Sequence, residues 1–303
     1  MKKYITLLIL TLGLCKGLRA QDDMVHVVTK TIRKEMPASG ISKINIQAEK
    51  AHVKVIGWTG STIELTLKLI SKNQSKSQAE ADLKYHNYGI DKNQEVYNFS
   101  NGFVVNDNRS KIHSSLSAEY TLKMPQNIAL SLTNLYGEID ITHMRGGVNA
   151  SLNFGQINLT DIEGNVRIKT SYGDVFGENL DVSMRCEADK ANLKLNHVKG
   201  KYQIESSFGK VEVQADKGLT LFIVQSKNTE VELSLPAFET FNYDLKTSYG
   251  NILLPSKYEG MIEKSITQKK EFVKSFNSEL KVSISTTFND IKIQPYSTYS
   301  TNK

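Results

Sequence analysis

Tyr136-Gly137-Glu138-Ile139-Asp140-Ile141, Phe154-Gly155-Gln156-Ile157-Asn158-Leu159 and Tyr172-Gly173-Asp174-Val175 are copies of one phrase, their glycines 18 residues apart. Two further steps of the same length reach Lys190-Ala191-Asn192-Leu193 and Phe208-Gly209-Lys210-Val211. Looser copies follow at Asn228-Thr229-Glu230-Val231 and Tyr249-Gly250-Asn251-Ile252. Phe288-Asn289-Asp290-Ile291 is a late copy, with Asn289 at the glycine position, where a left-handed backbone is expected. A second phrase keeps the same step: Val148, Val166, Met184 and Tyr202 form one series, and Ala150, Ile168, Cys186 and Ile204 another. Apolar residues alternate with polar ones inside each unit, the period of a half-buried strand. No helical period runs between Leu130 and Leu254.

Short strands at constant spacing, with identical turns and no helix to carry a crossover, fit a stack of coils better than a meander. Like residues then lie over like, about 4.8 Å apart. The fold class expected is all-β, a parallel β-solenoid of about 18 residues per coil. Valine, isoleucine and leucine columns fill it, and glycine takes the tight corners. Cys186 falls in an inward column between Ile168 and Ile204, so it reads as a small buried hydrophobe and not as a reactive thiol.

Outside the repeats the pattern loosens. Ile44, Ile46, Val53, Val55, Ile63, Leu65, Leu67 and Leu69 alternate, so coils begin before residue 60. Residues 71–113 form an excursion in which Ser77-Gln78-Ala79-Glu80 resembles a capping box and predicts a short helix over 77–85. Alternation returns over Glu95–Val105 and at Leu116, Ala118, Tyr120, Leu122 and Met124, where Pro125 ends the strand. Residues 258–277 read as a charged insertion, and Leu280–Ile284 with Ile291–Ile293 as closing strands.

The first twenty residues, MKKYITLLILTLGLCKGLRA, carry Lys2 and Lys3 before an apolar run too short for a membrane span. They read as a cleavable secretory signal. Leu14 before Cys15 is too large for a lipoprotein site. The expected organisation is a signal peptide over 1–20, a lead-in over 21–40, one solenoid domain over 41–295 and a polar tail over 296–303. The 303 residues hold 38 Lys and Arg against 32 Asp and Glu, a net +6. Removing Lys2, Lys3, Lys16 and Arg19 with the signal leaves +2. The basic balance therefore belongs mostly to the export signal, and a nucleic-acid partner loses its support. Cys186 is then the only thiol and can form no internal disulfide. No later stretch is apolar enough to span a membrane.

The strand pair around Gly57-Trp58-Thr59-Gly60, the short helix at 77–85, the strand ending Leu122-Lys123-Met124-Pro125 and the coils from Asn134-Leu135-Tyr136-Gly137-Glu138-Ile139 onward occur together. Over residues 40–293 the chain resembles the bacterial family of exported β-strand-repeat proteins described as putative adhesins, a domain of unknown function. The resemblance implies a solenoid outside the cytoplasm, in the periplasm or at the cell surface. It supplies no catalytic residue and names no ligand.

The residues themselves point to no catalytic cluster. The outward column Glu138, Gln156, Asp174, Asn192, Lys210 and its neighbour Asp140, Asn158, Phe176, Lys194, Glu212 mix signs and polarities, unlike the acidic ledge of a polysaccharide-cleaving solenoid. His143, Asp161, Asn179 and His197 share a corner column and read as turn residues bonding their own turns; no metal or other cofactor is expected. The corner pairs Tyr136-Gly137, Phe154-Gly155, Tyr172-Gly173, Phe208-Gly209 and Tyr249-Gly250 are the most distinctive feature. Strand parity turns their rings inward, which favours a structural ladder over a ledge for sugar rings or a partner. The expectation is a non-enzymatic, adhesin-like binding or structural module of the cell envelope. Its partner is an unknown envelope protein or glycan. The alternatives are a periplasmic structural or sensory component and a polysaccharide-active enzyme working through Asp161 or Asp174.

Overall fold

The computed structural model describes residues 24–105 and 111–296. The expected signal peptide and most of the polar tail lie outside the described residues. The described chain is all-β, with seventeen strands joined into one large, mostly parallel sheet. No helix among the described residues is long and apolar enough to cross a membrane.

Strand β8 (Ala129–Thr142) shows how the sheet winds. Its first half pairs with β2 (Lys43–Ala48), placing Leu130 beside Ile44. Its second half pairs with a different strand, β3 (Ala51–Trp58), placing Ile139 beside Val53. The strand therefore turns a corner at Tyr136–Gly137 and contributes to two faces. Strands β9 (Val148–Ser171), β10 (Gly173–Asp189) and β11 (Leu193–Leu235) repeat this path. Along the first face parallel ladders pair Leu130 with Val148, Val166 with Met184 and Met184 with Tyr202. Along the second, Ile139, Ile157, Val175 and Leu193 follow one another in the same way. Both sets are buried and face one continuous apolar core. Cys186 lies between Ile168 and Ile204 in that core, fully buried, as its column implied.

The ends depart from sequence order. β1 (His26–Pro37) pairs antiparallel with β4 (Thr62–Asn73), and β4 pairs antiparallel with β7 (Ser115–Pro125), which lies against β3. β5 (His86–Asn93) and β6 (Val96–Phe103) form a hairpin that extends the face of β2. Before it sits helix α1 (Lys76–Asp82), followed by a 3-10 turn over Leu83–Tyr85. The predicted helix is present, but its cap is Ser75, whose hydroxyl accepts from the Gln78 backbone. Ser77 instead bonds the Ser75 hydroxyl. Asp82 is buried and its carboxylate accepts from the backbone of His113 and Ser114, fixing the excursion where it rejoins β7.

At the other end β12 (Asn242–Ser248) and β13 (Ile252–Leu253) precede helix α2 (Ser256–Glu259) and the strands β14 (Glu263–Lys264) and β15 (Lys269–Lys274). β15 covers the open edge of β12 with antiparallel pairing, and Phe238, Tyr243, Tyr258 and Phe272 form a buried aromatic plug beneath it. The expected closing strands, β16 (Lys281–Thr287) and β17 (Ile291–Pro295), do not close the stack. β16 lies between β11 and β12, and β17 between β11 and β13. The chain reaches the end, makes its cap and returns to fill the rung it had left vacant.

Candidate functional site

The aromatic corner is built from the inside outward. Asn134 is buried two residues before Tyr136, and its amide donates to the Ala51 carbonyl at 2.7 Å. Thr170, Thr286 and Thr247 are buried two residues before Tyr172, Phe288 and Tyr249. Their hydroxyls donate to the carbonyls of Gly173, Thr229 and Asn289 at 2.7–3.0 Å. The corner exposes backbone carbonyls to an apolar interior, and these polar side chains satisfy them. The sequence reading missed this column, although its polar members recur at inward positions.

Past the buried residue the chain must turn. At the first two corners Gly137 and Gly155 take the positive φ, at +119° and +135°. At the later corners the aromatic residue takes it: Tyr172, Phe208, Tyr249 and Phe288 have φ between +56° and +63°. Asn289 is not among the positive-φ residues, contrary to expectation. Gly209 and Gly250 are required for a different reason. A Cβ there would lie 2.0 Å from the Ala191 oxygen and 1.9 Å from the Asn289 oxygen, inside the neighbouring rung.

This turn overturns the inward placement of the rings. Tyr136, Phe154, Tyr172, Phe208, Tyr249 and Phe288 are between 42% and 59% exposed. Period-two parity applies along a strand, and the corner resets it after Asn134 or Thr170. The rings still form ladders. Tyr136 stacks on Phe154 at 5.2 Å and 8°, Phe154 on Tyr172 at 5.1 Å and 15°, and Tyr249 on Phe288 at 5.2 Å and 11°. Ring separation matches rung separation, so each inner ring has both faces covered by its neighbours. Lys190 finishes one end of the first stack. Its ammonium lies 4.6 Å from the Tyr172 ring centre and donates to the Tyr172 hydroxyl at 2.6 Å. That bond raises the Lys190 pKa above the usual lysine range. Phe208, beyond Lys190, has no ring partner among the described residues.

The opposite corner carries His143, Asp161, Asn179 and His197, and all four hold φ between +52° and +57°. Asparagine, aspartate and histidine are the side chains that tolerate this region best, which accounts for the composition of the column. They bond across rungs and not within their own turns. His143 Nδ1 is 3.2 Å from Asp161, Asn179 donates to Asp161 at 3.1 Å, and His197 Nδ1 is 3.1 Å from Asp216. With Trp58, Arg145 and Lys199 these residues line a groove of about 640 Å³. Among the described residues no group of three or more His, Cys, Asp or Glu converges on a point where a metal could sit.

The outward columns form ladders of contacts between neighbours. Asn158 donates to Asp140, Asn192 donates to Asp174 through both backbone and amide, and Lys194 pairs with Glu212. Asp161 accepts from Asn179 in the His143 column, whereas Asp174 accepts from Asn192 on the strand past Tyr172. Glu232 is the most enclosed acid of these ladders, held by Lys292 at 2.7 Å and Lys210 at 3.1 Å, which lowers its pKa below the usual carboxylate range.

Residues 41–294 match the model of the Toastrack DUF4097 family. The chain belongs to that family. Toastrack domains have a β-solenoid-like fold, in accord with the parallel ladders above. No curated protein matches this Toastrack chain. Among solved structures it is similar to a putative cell adhesion protein from Clostridium sporogenes ATCC 15579, at 13% identity over 89% of this chain and 100% of that one, with a TM-score of 0.25. It is also similar to a putative adhesin from Bacteroides fragilis NCTC 9343, at 11% identity over 87% and 97% of the two chains, with a TM-score of 0.45. A third is a putative lipid binding protein from Parabacteroides distasonis ATCC 8503, at 9% identity over 88% and 97%, with a TM-score of 0.29.

Proposed function

We propose that this Toastrack chain is a non-enzymatic, exported binding and structural module of the cell envelope, a parallel β-solenoid of about 18 residues per coil whose aromatic corner meets a partner. One observation carries the reading. The chain holds bulky aromatic residues in a left-handed backbone at Tyr172, Phe208, Tyr249 and Phe288, and leaves about half of each ring in solvent. The backbone cost of that conformation is roughly 1–2 kcal/mol per residue. Stacking of roughly 0.5–1.5 kcal/mol offsets part of it where rings pair, but Phe208 has no ring partner among the described residues. Backbone strain of this kind clusters at functional sites, which supports a contact role for these exposed rings. The partner would be an envelope protein or glycan, with the ladders of paired charges serving as a rigid frame.

Fractionation of cells expressing the full chain tests this, combined with protease added to intact cells. The reading expects the chain in the envelope fraction, in the periplasm or at the surface. Surface display further expects cleavage by external protease; full protection assigns it to the periplasm. Recovery of the uncleaved chain in the cytoplasmic fraction would contradict the reading.

A further inference from the structure

The outward side of the first face carries its charge differently from the second. A groove of about 750 Å³ crosses it from β2 to β11, over the rungs of β8, β9 and β10. Lys43, Arg167, Arg185 and Lys201 line this groove, and no Asp or Glu does. Arg167 and Arg185 are direct partners on adjacent rungs, about 4.8 Å apart. Like charges so placed repel and weaken the pairing of their strands. Asn165 and Ser183 precede Lys201 in one outward column, and Gln203 follows Arg185 in the other. The acids of the next column, Glu187 and Glu205, are already engaged. Glu205 accepts from Arg185 at 3.0 Å, and Glu187 lies 3.5 Å from Lys169. Among the described residues Lys43, Arg167 and Lys201 have no carboxylate within ion-pair distance. On the second face, by contrast, Lys194 and Lys210 both pair with Glu212.

We infer that this groove binds an anionic polysaccharide, a polyuronate strand laid across the rungs. Its carboxylates meet Arg167, Arg185 and Lys201, and its hydroxyls meet Asn165, Ser183 and Gln203. The inference goes beyond the aromatic-corner reading, because it concerns a different face of the coil. Charge complementarity carries it. A guanidinium presents a planar fork of donors that matches a carboxylate, and a ligand carboxylate between Arg167 and Arg185 relieves their repulsion. A polyuronate repeats a carboxylate and hydroxyls on every unit, as the groove repeats cations and neutral polar groups along the stack. Other anionic partners fit less well. None of the exposed large apolar side chains among the described residues lies on the groove. It therefore offers a bilayer nothing to insert and a nucleobase no ring to stack on. The backbone of β10 at its centre is paired on both sides, with β9 and β11, so an acidic peptide finds no free edge to join as a strand.

The test is calorimetric titration of the purified full chain with polygalacturonate. Methyl-esterified polygalacturonate, polyglutamate, duplex DNA and phosphatidylglycerol vesicles serve as the competing ligands. Polygalacturonate is expected to bind and its ester is not. Binding should weaken about tenfold between roughly 0.05 M and 0.5 M salt, as the charges are screened. Arg167→Gln combined with Lys201→Gln alters two exposed side chains and should weaken binding about tenfold or more. Ser183→Glu sets an acid among the cations and should weaken it as well, which tests the groove by a second route. Lys54→Gln combined with Lys194→Gln removes the same charge from the second face and should bind as the natural chain does. So should Phe208→Asn at the corner. The inference would be overturned by failure of polygalacturonate to bind or by equal binding of its ester. Tighter binding of polyglutamate, DNA or vesicles, or equal losses in the groove and second-face variants, would overturn it too. Capture by isolated envelopes separates it from the corner reading. If polygalacturonate does not bind but envelopes capture the natural chain and not Phe208→Asn, the groove falls and the corner stands. If polygalacturonate binds and envelopes capture both chains alike, the corner falls and the groove stands.

Discussion

Replacing Gly155 by alanine puts a methyl carbon 1.8 Å from the Gly137 carbonyl oxygen and 2.8 Å from its carbon. No rotamer relieves that contact, because the obstacle is the backbone of the rung stacked on it through the Gly137–Gly155 pair. The residue also holds φ at +135°, a region nearly closed to any side chain. Holding alanine there costs about 1–3 kcal/mol. Opening the corner to admit the methyl sacrifices neighbouring ladder bonds, each contributing about 1 kcal/mol net. Together the loss should reach about 3–5 kcal/mol, a large part of the stability of an ordinary domain. Gly40 is the internal control. Its φ is +71° but a Cβ there meets nothing within 4 Å, so Gly40→Ala should lose only about 1 kcal/mol. Urea unfolding followed by far-ultraviolet circular dichroism reads both midpoints. Gly155→Ala falling within about 1 kcal/mol of the natural chain, or losing less than Gly40→Ala, would refute the stacked-corner geometry.

Two further outcomes follow from the buried and ion-paired groups. Glu232 has only 16% of its side chain exposed and its pKa is lowered by Lys292 and Lys210. A depressed folded pKa contributes stability that is present above the unfolded value of about 4.5 and lost as pH falls through the folded value. Glu232→Gln should therefore lower the melting temperature at pH 7 and leave it nearly unchanged near pH 2; an equal loss at both would show that the charge is not the cause. Burial pushes the Cys186 thiol up to about 12. Its peptide should resist alkylation at pH 8 in the folded chain and react fully in denaturant, as mass spectrometry would show; rapid labelling of the native chain would contradict the buried column.

Much of the architecture was legible because stacking is periodic and so is the sequence that encodes it. The 18-residue spacing of Gly137, Gly155 and Gly173 leads directly to the parallel pairs Gly137–Gly155 and Gly155–Gly173. Orientation at the corner was not legible. Period-two parity describes an extended strand, and it breaks at the corner, where the chain bends between the buried Asn134 or Thr170 and the exposed ring two residues later. The positive φ passes from Gly137 and Gly155 to Tyr172 and Phe208, and the motif looks the same in both cases. The end rungs were illegible for a different reason. The alternation of β16 and β17 says that they are strands with one buried side, but not that they insert between β11 and β12. That depends on which ladder edge is open when the chain returns.

The central claim is that the corner rings are kept for a partner and not for the fold, and Phe208 isolates it best. Phe208→Asn relieves a left-handed phenylalanine, worth roughly 1–2 kcal/mol. It forfeits the buried half of the ring, about 1 kcal/mol. Asparagine already occupies the same corner position at Asn228, with φ of +52°. The deciding measurement pairs urea unfolding of Phe208→Asn with its capture by isolated envelopes. The account predicts stability within about 1 kcal/mol of the natural chain, together with weakened capture. A loss above about 2 kcal/mol with capture intact would assign the ring to the fold and contradict the account.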